Sequence, residues 1–360
     1  MTLAPAPTPL AARIDAELAG FVDGQRLLWP DPELRPMLDS LRRFILSGGK
    51  RLRPAFCYWA WRGTADPAEL ADDQRAVTAG AALELFHCFA LIHDDIIDAG
   101  SRRRGAPSLH EEFATAHAGQ GWRGDSRAFG RNTALLCGDL CAMWAEELLA
   151  GCPAEPARLA RARRMFAVMR TEAVAGEYLE VVAQAMADFG PAAPARAARV
   201  VQLKTGRYSV VRPLQIGAIL AGAPERVLDG LAAYGEPLGE AFQLRDDILG
   251  VFGDPARTGK STLDDLRQGK PTPLLAEAYA RADVRSRAVL SALVGDPHLD
   301  EAGADRVREV VGACGALAAV EERIAAARAE ALRALDFLDL AGDSRRALAG
   351  LAEFVADRSS

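Results

Sequence analysis

Aromatic residues make up only 6% of this 360-residue chain, and stretches in which apolar and polar residues alternate are scarce. A sheet core needs that alternation and is enriched in aromatic and β-branched side chains, so a β protein is excluded. The pairs Val200-Val201 and Val210-Val211 are short and sit inside helical periodicity. Basic charge is not in excess either. A net charge of −6 and a pI near 5.6 argue against nucleic acid as the main partner. The six cysteines lack the close spacing of a disulfide framework. Cys137 and Cys141, four apart, have no second pair to complete a metal site, so both are read as small core residues. With no signal peptide ahead of these thiols, the expected location is the cytoplasm. No apolar run is read as long enough to span a membrane, so no transmembrane segment is expected.

What remains is helix. Half the residues are hydrophobic, with Ala, Leu and Arg abundant. Residues 1–9, rich in Pro and Ala and without periodicity, are expected to be disordered. Helical patterning then runs to Ala356, broken only by short loops such as 47–49, 119–125 and 253–259. None is long enough to be a domain linker. The expectation is one all-α domain over residues 10–360, a bundle of roughly ten to thirteen helices.

Two acidic runs stand out in long apolar stretches, Asp94-Asp95-Ile96-Ile97-Asp98 and Asp246-Asp247-Ile248-Leu249-Gly250. Helices are expected over about 73–98 and 224–252, with each acidic run near a C-terminus. Carboxylates are unfavourable at that negative end of the helix dipole, and a bound cation reverses the cost. Residues i and i+4 share a helix face, so Asp94 and Asp98 can share a metal while Asp95 points elsewhere. Oxygen ligands with no Cys or His cluster favour Mg²⁺, which keeps several waters and is completed by phosphate oxygens.

Cations follow the same logic. Gly48-Gly49-Lys50-Arg51-Leu52-Arg53-Pro54 puts three of them beside a flexible glycine pair, able to close around an anion. Arg102-Arg103-Arg104-Gly105 begins four residues after Asp98, within reach of any phosphate held there. Lys204-Thr205-Gly206, Lys260 and Lys270 are further candidates.

Taken in order, GGKRLRP, ELFHCFALIHDDIID, RRRGAPSLH, KTG and FQLRDDILG…GK…GKPT resemble the trans-isoprenyl diphosphate synthase (polyprenyl synthetase) family from about residue 40 to the C-terminus. The resemblance implies an all-α bundle around a deep apolar cavity, usually a homodimer. It implies an enzyme joining an allylic diphosphate to isopentenyl diphosphate, head-to-tail and trans, with three Mg²⁺ ions around the bound diphosphate. Asp94, Asp98 and Asp246 would hold metal, with Asp95 and Asp247 beside them. Arg103, Lys204 and Lys260 would meet the allylic diphosphate, and Lys50, Arg53, His87 and Arg104 isopentenyl diphosphate, with Lys270 a further substrate-binding candidate. Thr205, the Lys204 carbonyl and Gln243 would face the developing carbocation.

By the same resemblance, residues one to two turns before Asp94 set product length. Phe89 is bulky and Ala90 small, which is the pattern of geranylgeranyl diphosphate synthases; Phe86 is the alternative floor. Farnesyl diphosphate and products of twenty-five carbons or more are the next expectations. Gly250 departs from the family, whose second motif commonly ends in Asp, and its lost carboxylate is expected to weaken a metal site. The competing readings are a class I terpene cyclase and a non-catalytic synthase subunit. The isopentenyl-type basic loop with His87 opposes the first, and the otherwise intact motifs oppose the second.

Overall fold

The computed structural model describes residues 8–254 and 261–358. These residues are helical apart from connecting loops and one two-residue hairpin, Arg102–Arg103 with Ala106–Pro107. Thr8 and Pro9, expected to be disordered, open the first helix; residues 1–7 lie outside the described residues. Helices outnumber the ten to thirteen expected, because the segment after residue 260 is cut into short helices. The chain divides into two compact units at 163/164 and 215/216, with 216–223 belonging to the first.

The N-terminal unit contains α1 (Thr8–Leu28), α2 (Arg35–Leu46), α3 (Leu52–Thr64), α4 (Gln74–Ile97), α5 (Leu109–Gly119) and α6 (Ser126–Ala150). Its axis is α4, which packs on α6, α3 and α1. The side chains of Leu83, Leu85, Phe86 and Ile92 are buried in it beside Ile14, Leu18, Phe56 and Trp61. Against the expectation that no apolar run reaches membrane length, α4 is long and apolar enough to cross one. Of its most apolar stretch 72% is buried inside the protein, as in a core helix. Its first turn is pinned by Asp73, which accepts from Arg13 at 2.7 Å and from the Tyr58 hydroxyl at 2.9 Å.

The C-terminal unit takes in most of α7 (Pro156–Met186), then α8 (Ala193–Val200), a π-helical segment (Val201–Val211), the start of α9 (Arg212–Leu220) and α10 (Glu225–Phe252). Here α10 is the axis, packed against the π-helical segment and the helices Ala316–Asp336 and Gly342–Asp357. Leu244, Ile248 and Val251 point from α10 into a core completed by Leu266, Leu274, Leu275 and Val320. Arg245 fixes the packing through Glu321 at 2.7 and 2.8 Å and the Ala356 carbonyl at 2.8 Å. All six cysteines are free thiols; five are buried in the N-terminal unit, and Cys314 is partly exposed in the other.

Candidate active site

Helix α4 ends at Ile97 with Asp98 as its C-cap, so the first acidic run occupies the last turn as expected. Asp94 and Asp98 are partly exposed on one face, while Asp95 is only 3% exposed. The hairpin returns Arg103 to this helix end. Its Nη2 donates to Asp94 Oδ2 at 2.9 Å, and its Nε to Asp95 Oδ1 at 2.8 Å. Buried Arg103 thus supplies part of the positive charge the helix terminus demands, and the acids raise its pKa against the opposing effect of burial. Asp95, considered as a metal ligand from the sequence, is instead committed to Arg103.

About two turns before Asp94 lies a basic pocket. Burial, followed by the charges of Arg53, Arg104, Arg103 and Arg51, pushes the His87 pKa well below its usual 6.5, so His87 is neutral near pH 7. Gly49, at φ +138°, leaves room for Arg104, whose Nη2 would stand 3.0 Å from any Cβ there. Arg104 Nη1 also donates to Ser47 Oγ at 3.0 Å. The N-terminal unit therefore brings Arg53, His87 and Arg104 together beside the loop that carries Lys50. Arg51, the third cation of that loop, is structural: it is buried and bonded to Asp15 at 2.7 Å and Glu84 at 2.5 Å.

In the C-terminal unit, Thr205 Oγ1 donates to Gln243 Oε1 at 2.5 Å, and Gln243 Nε2 donates to Asp247 Oδ1 at 2.8 Å. Thr205 sits in the π-helical segment, a geometry that recurs at functional sites. Asp246 is partly exposed and paired with Arg358, which follows the C-terminal helix. Asp247, considered as a ligand, lies behind it at 3% exposure, and its Oδ2 is buried with no hydrogen-bond partner. Burial pushes its pKa well above the carboxylate range, reinforced by Asp265, Asp246 and Glu180 and opposed by the Gln243 hydrogen bond. Lys204 is held by Glu180 at 2.6 Å and Glu177 at 2.8 Å, and Lys270 reaches Glu180 at 3.4 Å. Lys260 lies outside the described residues.

The two glutamates of α7 and Arg358 escaped the sequence reading, since an isolated Glu or Arg carries no pattern. So did His93, whose ring lies 4.6 Å from Phe89 and whose Nε2 is 3.2 Å from the Leu135 carbonyl. Phe89 and Ala90 keep accessible surface, whereas Phe86 is 1% exposed. Phe86 is therefore core and offers no face to a substrate. A hollow lined by Glu17, Gln74, Thr78 and Glu147 lies near the other end of α4. Sixteen residues separate Thr78 from Asp94, about 24 Å of helix, so that hollow is remote from the acids.

Among the described residues, no three His, Cys or acidic side chains converge closely enough to hold a metal unaided. The available donors are carboxylates in each unit taken by itself: Asp94 and Asp98 in the N-terminal one, and Asp246, with the orphaned Asp247 Oδ2 behind it, in the C-terminal one. An incomplete, oxygen-only set fits Mg²⁺, whose shell is finished by water and phosphate.

A family model described as Polyprenyl synthetase matches residues 35–311. Geranylfarnesyl diphosphate synthase of Aeropyrum pernix is 32% identical over 321 residues, spanning 87% of this chain and 92% of the relative. (2E,6E)-farnesyl diphosphate synthase of Mycobacterium tuberculosis is 28% identical over 361 residues, 99% of this chain and 91% of the relative. Among solved structures, geranylgeranyl pyrophosphate synthase from Corynebacterium glutamicum, complexed with isoprenyl diphosphate and magnesium, superposes with a TM-score of 0.92. It is 35% identical, with 97% of this chain and 98% of that one covered.

Proposed function

The chain belongs to the polyprenyl synthetase family, and from that premise we propose that it condenses an allylic diphosphate with isopentenyl diphosphate, head-to-tail and trans. One observation carries the reading: Arg103 belongs both to the acidic end of α4, through Asp94 and Asp95, and to the basic pocket around His87. A cation shared between a metal-type acidic pair and an anion pocket suits two diphosphates bound side by side.

Asp94, Asp98 and Asp246 would hold Mg²⁺, three ions in all with the diphosphate bound, which neutralise charge on the leaving oxygens. Arg103, Lys204 and Lys260 would add cationic contacts to the same leaving group. Isopentenyl diphosphate is assigned to Lys50, Arg53, His87 and Arg104. Thr205 commits its proton to Gln243, so its oxygen is left to present lone pairs, the right polarity toward an allylic cation. The apolar cavity that the resemblance implies would exclude water, which would otherwise capture that cation. The released diphosphate can take the final proton, so no protein base is required.

The proposed product is geranylgeranyl diphosphate, with Phe89 as the floor; relatives named for farnesyl and geranylfarnesyl products mark the alternatives. Incubation with Mg²⁺, isopentenyl diphosphate and each allylic primer, followed by sizing of the products, tests both chemistry and length. No chain elongation with any primer would overturn the reading. A homodimer is proposed as well, supported by the exposed Leu135, Leu136 and Met143 on α6; light scattering that shows a monomer would refute it. Free, mostly buried thiols support a cytoplasmic location.

A further inference from the structure

A floor made of one half-buried aromatic ring is only as firm as whatever stops that ring from turning, and Phe89 is such a ring. Toward the start of α4 it meets Phe86, 5.1 Å away between ring centres and packed into the core at 1% exposure. One turn later on the same helix face it meets His93 at 4.6 Å. Phe89 is therefore fixed on both sides only if His93 is itself held.

Helix α6 holds it. A Cβ placed on Gly138 would lie 2.3 Å from both Cδ2 and Nε2 of His93, so the ring edge fills the space that any other residue at 138 would need. Both atoms belong to a rigid ring rather than to the loose end of a long side chain. The same edge is tied by its nitrogen. Nε2 lies 3.2 Å from the Leu135 carbonyl, and a carbonyl can only accept, so Nε2 carries the proton and donates. Asp139 Oδ1, 3.7 Å from that nitrogen, favours the same arrangement. Both helices belong to the N-terminal unit, so the contact lies within one compact body.

We propose that His93, seated on Gly138, is a positioning residue for product length: it clamps Phe89 against Phe86 and keeps the growing chain from pushing the floor aside. This rests on the prenyl diphosphate synthase reading above and on Phe89 as the floor. His93 acts through the Phe89 ring and does not itself touch the chain. Gly138 is glycine because the clamp occupies its side-chain space. Loosening the clamp spreads the products toward greater length instead of abolishing turnover.

The test is the ratio of the next longer product to the main wild-type product, read by chromatography within one reaction mixture, so that partial loss of folded enzyme does not alter it. His93→Ala removes the clamp, whereas Gly138→Ala keeps His93 but drives its ring off α6. Each is expected to raise the ratio about twofold to tenfold, the range that one ring contact is worth. Because His93 acts through Phe89, adding His93→Ala to Phe89→Ala should lengthen the product no further than Phe89→Ala alone. A wild-type or lower ratio in His93→Ala or in Gly138→Ala, or additional lengthening in the double variant, overturns the clamp. Wild-type length in Phe89→Ala overturns the floor and the clamp with it, and no elongation by the wild type overturns the synthase reading itself.

Discussion

At the scale of single residues, charge balance decides the behaviour of the site. Arg103 partly compensates Asp94 and Asp95 without metal, so the fold does not depend on bound ions to tolerate acids at a helix C-terminus. Catalysis does. Asp94→Ala should keep its melting temperature near wild type yet lose about 10²–10³ in turnover at saturating Mg²⁺, checked by steady-state kinetics. His87 makes a different prediction, about pH. Its pKa is lowered in the fold, so the unfolded chain binds the proton more readily. Its contribution is therefore fully present above pH 6.5 and is lost as pH falls from there toward the folded value. Denaturant melts should show wild type losing up to about 1.4 kcal/mol per pH unit more steeply than His87→Gln on the acid side. Equal slopes would mean that His87 is not held neutral.

Among the elements, α4 and α10 were the most legible. Their length, apolar periodicity and terminal acids placed both helices within a residue or two, because burial on a long helix leaves a repeating trace in the sequence. The partners of the functional cations left none. Glu177 and Glu180 come from α7 to hold Lys204, and Asp265 reaches Gly250 from a separate short helix. Such pairings are fixed by how helices pack, which no local pattern records. Two predictions belong here. Phe89, in tilted ring contact with Phe86 at 5.1 Å and His93 at 4.6 Å, is the half-buried bulk on α4 rather more than one turn before the acids. Phe89→Ala should lengthen the main product by at least one isoprene unit with turnover largely kept, as product chromatography would show; unchanged length places the floor elsewhere. The C-terminal helix Gly342–Asp357 delivers Arg358 to Asp246 and lays its guanidinium 4.0 Å over the Phe242 ring. Any metal using Asp246 must displace that cation. Arg358→Ala should lower the Mg²⁺ concentration for half-maximal activity by about threefold to tenfold, whereas a purely structural Arg358 would lower melting temperature and leave the metal requirement alone.

Over the whole molecule, the family motifs are shared between the two units. The glycine-rich basic loop, His87, the first acidic run and Arg103 belong to the N-terminal unit; the KTG segment, Gln243 and the second acidic run belong to the other. No linker in the sequence marks this division, because two of its crossings, at 163/164 and 215/216, fall inside α7 and α9. The thiols are divided just as unevenly. Burial pushes the pKa of Cys88, Cys137 and Cys152 up to about 12 and raises Cys57 and Cys141 as well, so these five have neither access nor thiolate character at neutral pH. Cys314 is the partly exposed one, and it stands at the end of the helix Glu301–Ala313. A maleimide dye should then attach to one cysteine of the folded native chain and to all six after denaturation, as intact mass would show. More than one adduct on the folded chain would contradict the burial. The wild-type protein thereby carries a ready-made fluorophore position in its C-terminal unit, so substrate-induced motion there can be followed optically without removing a single native residue.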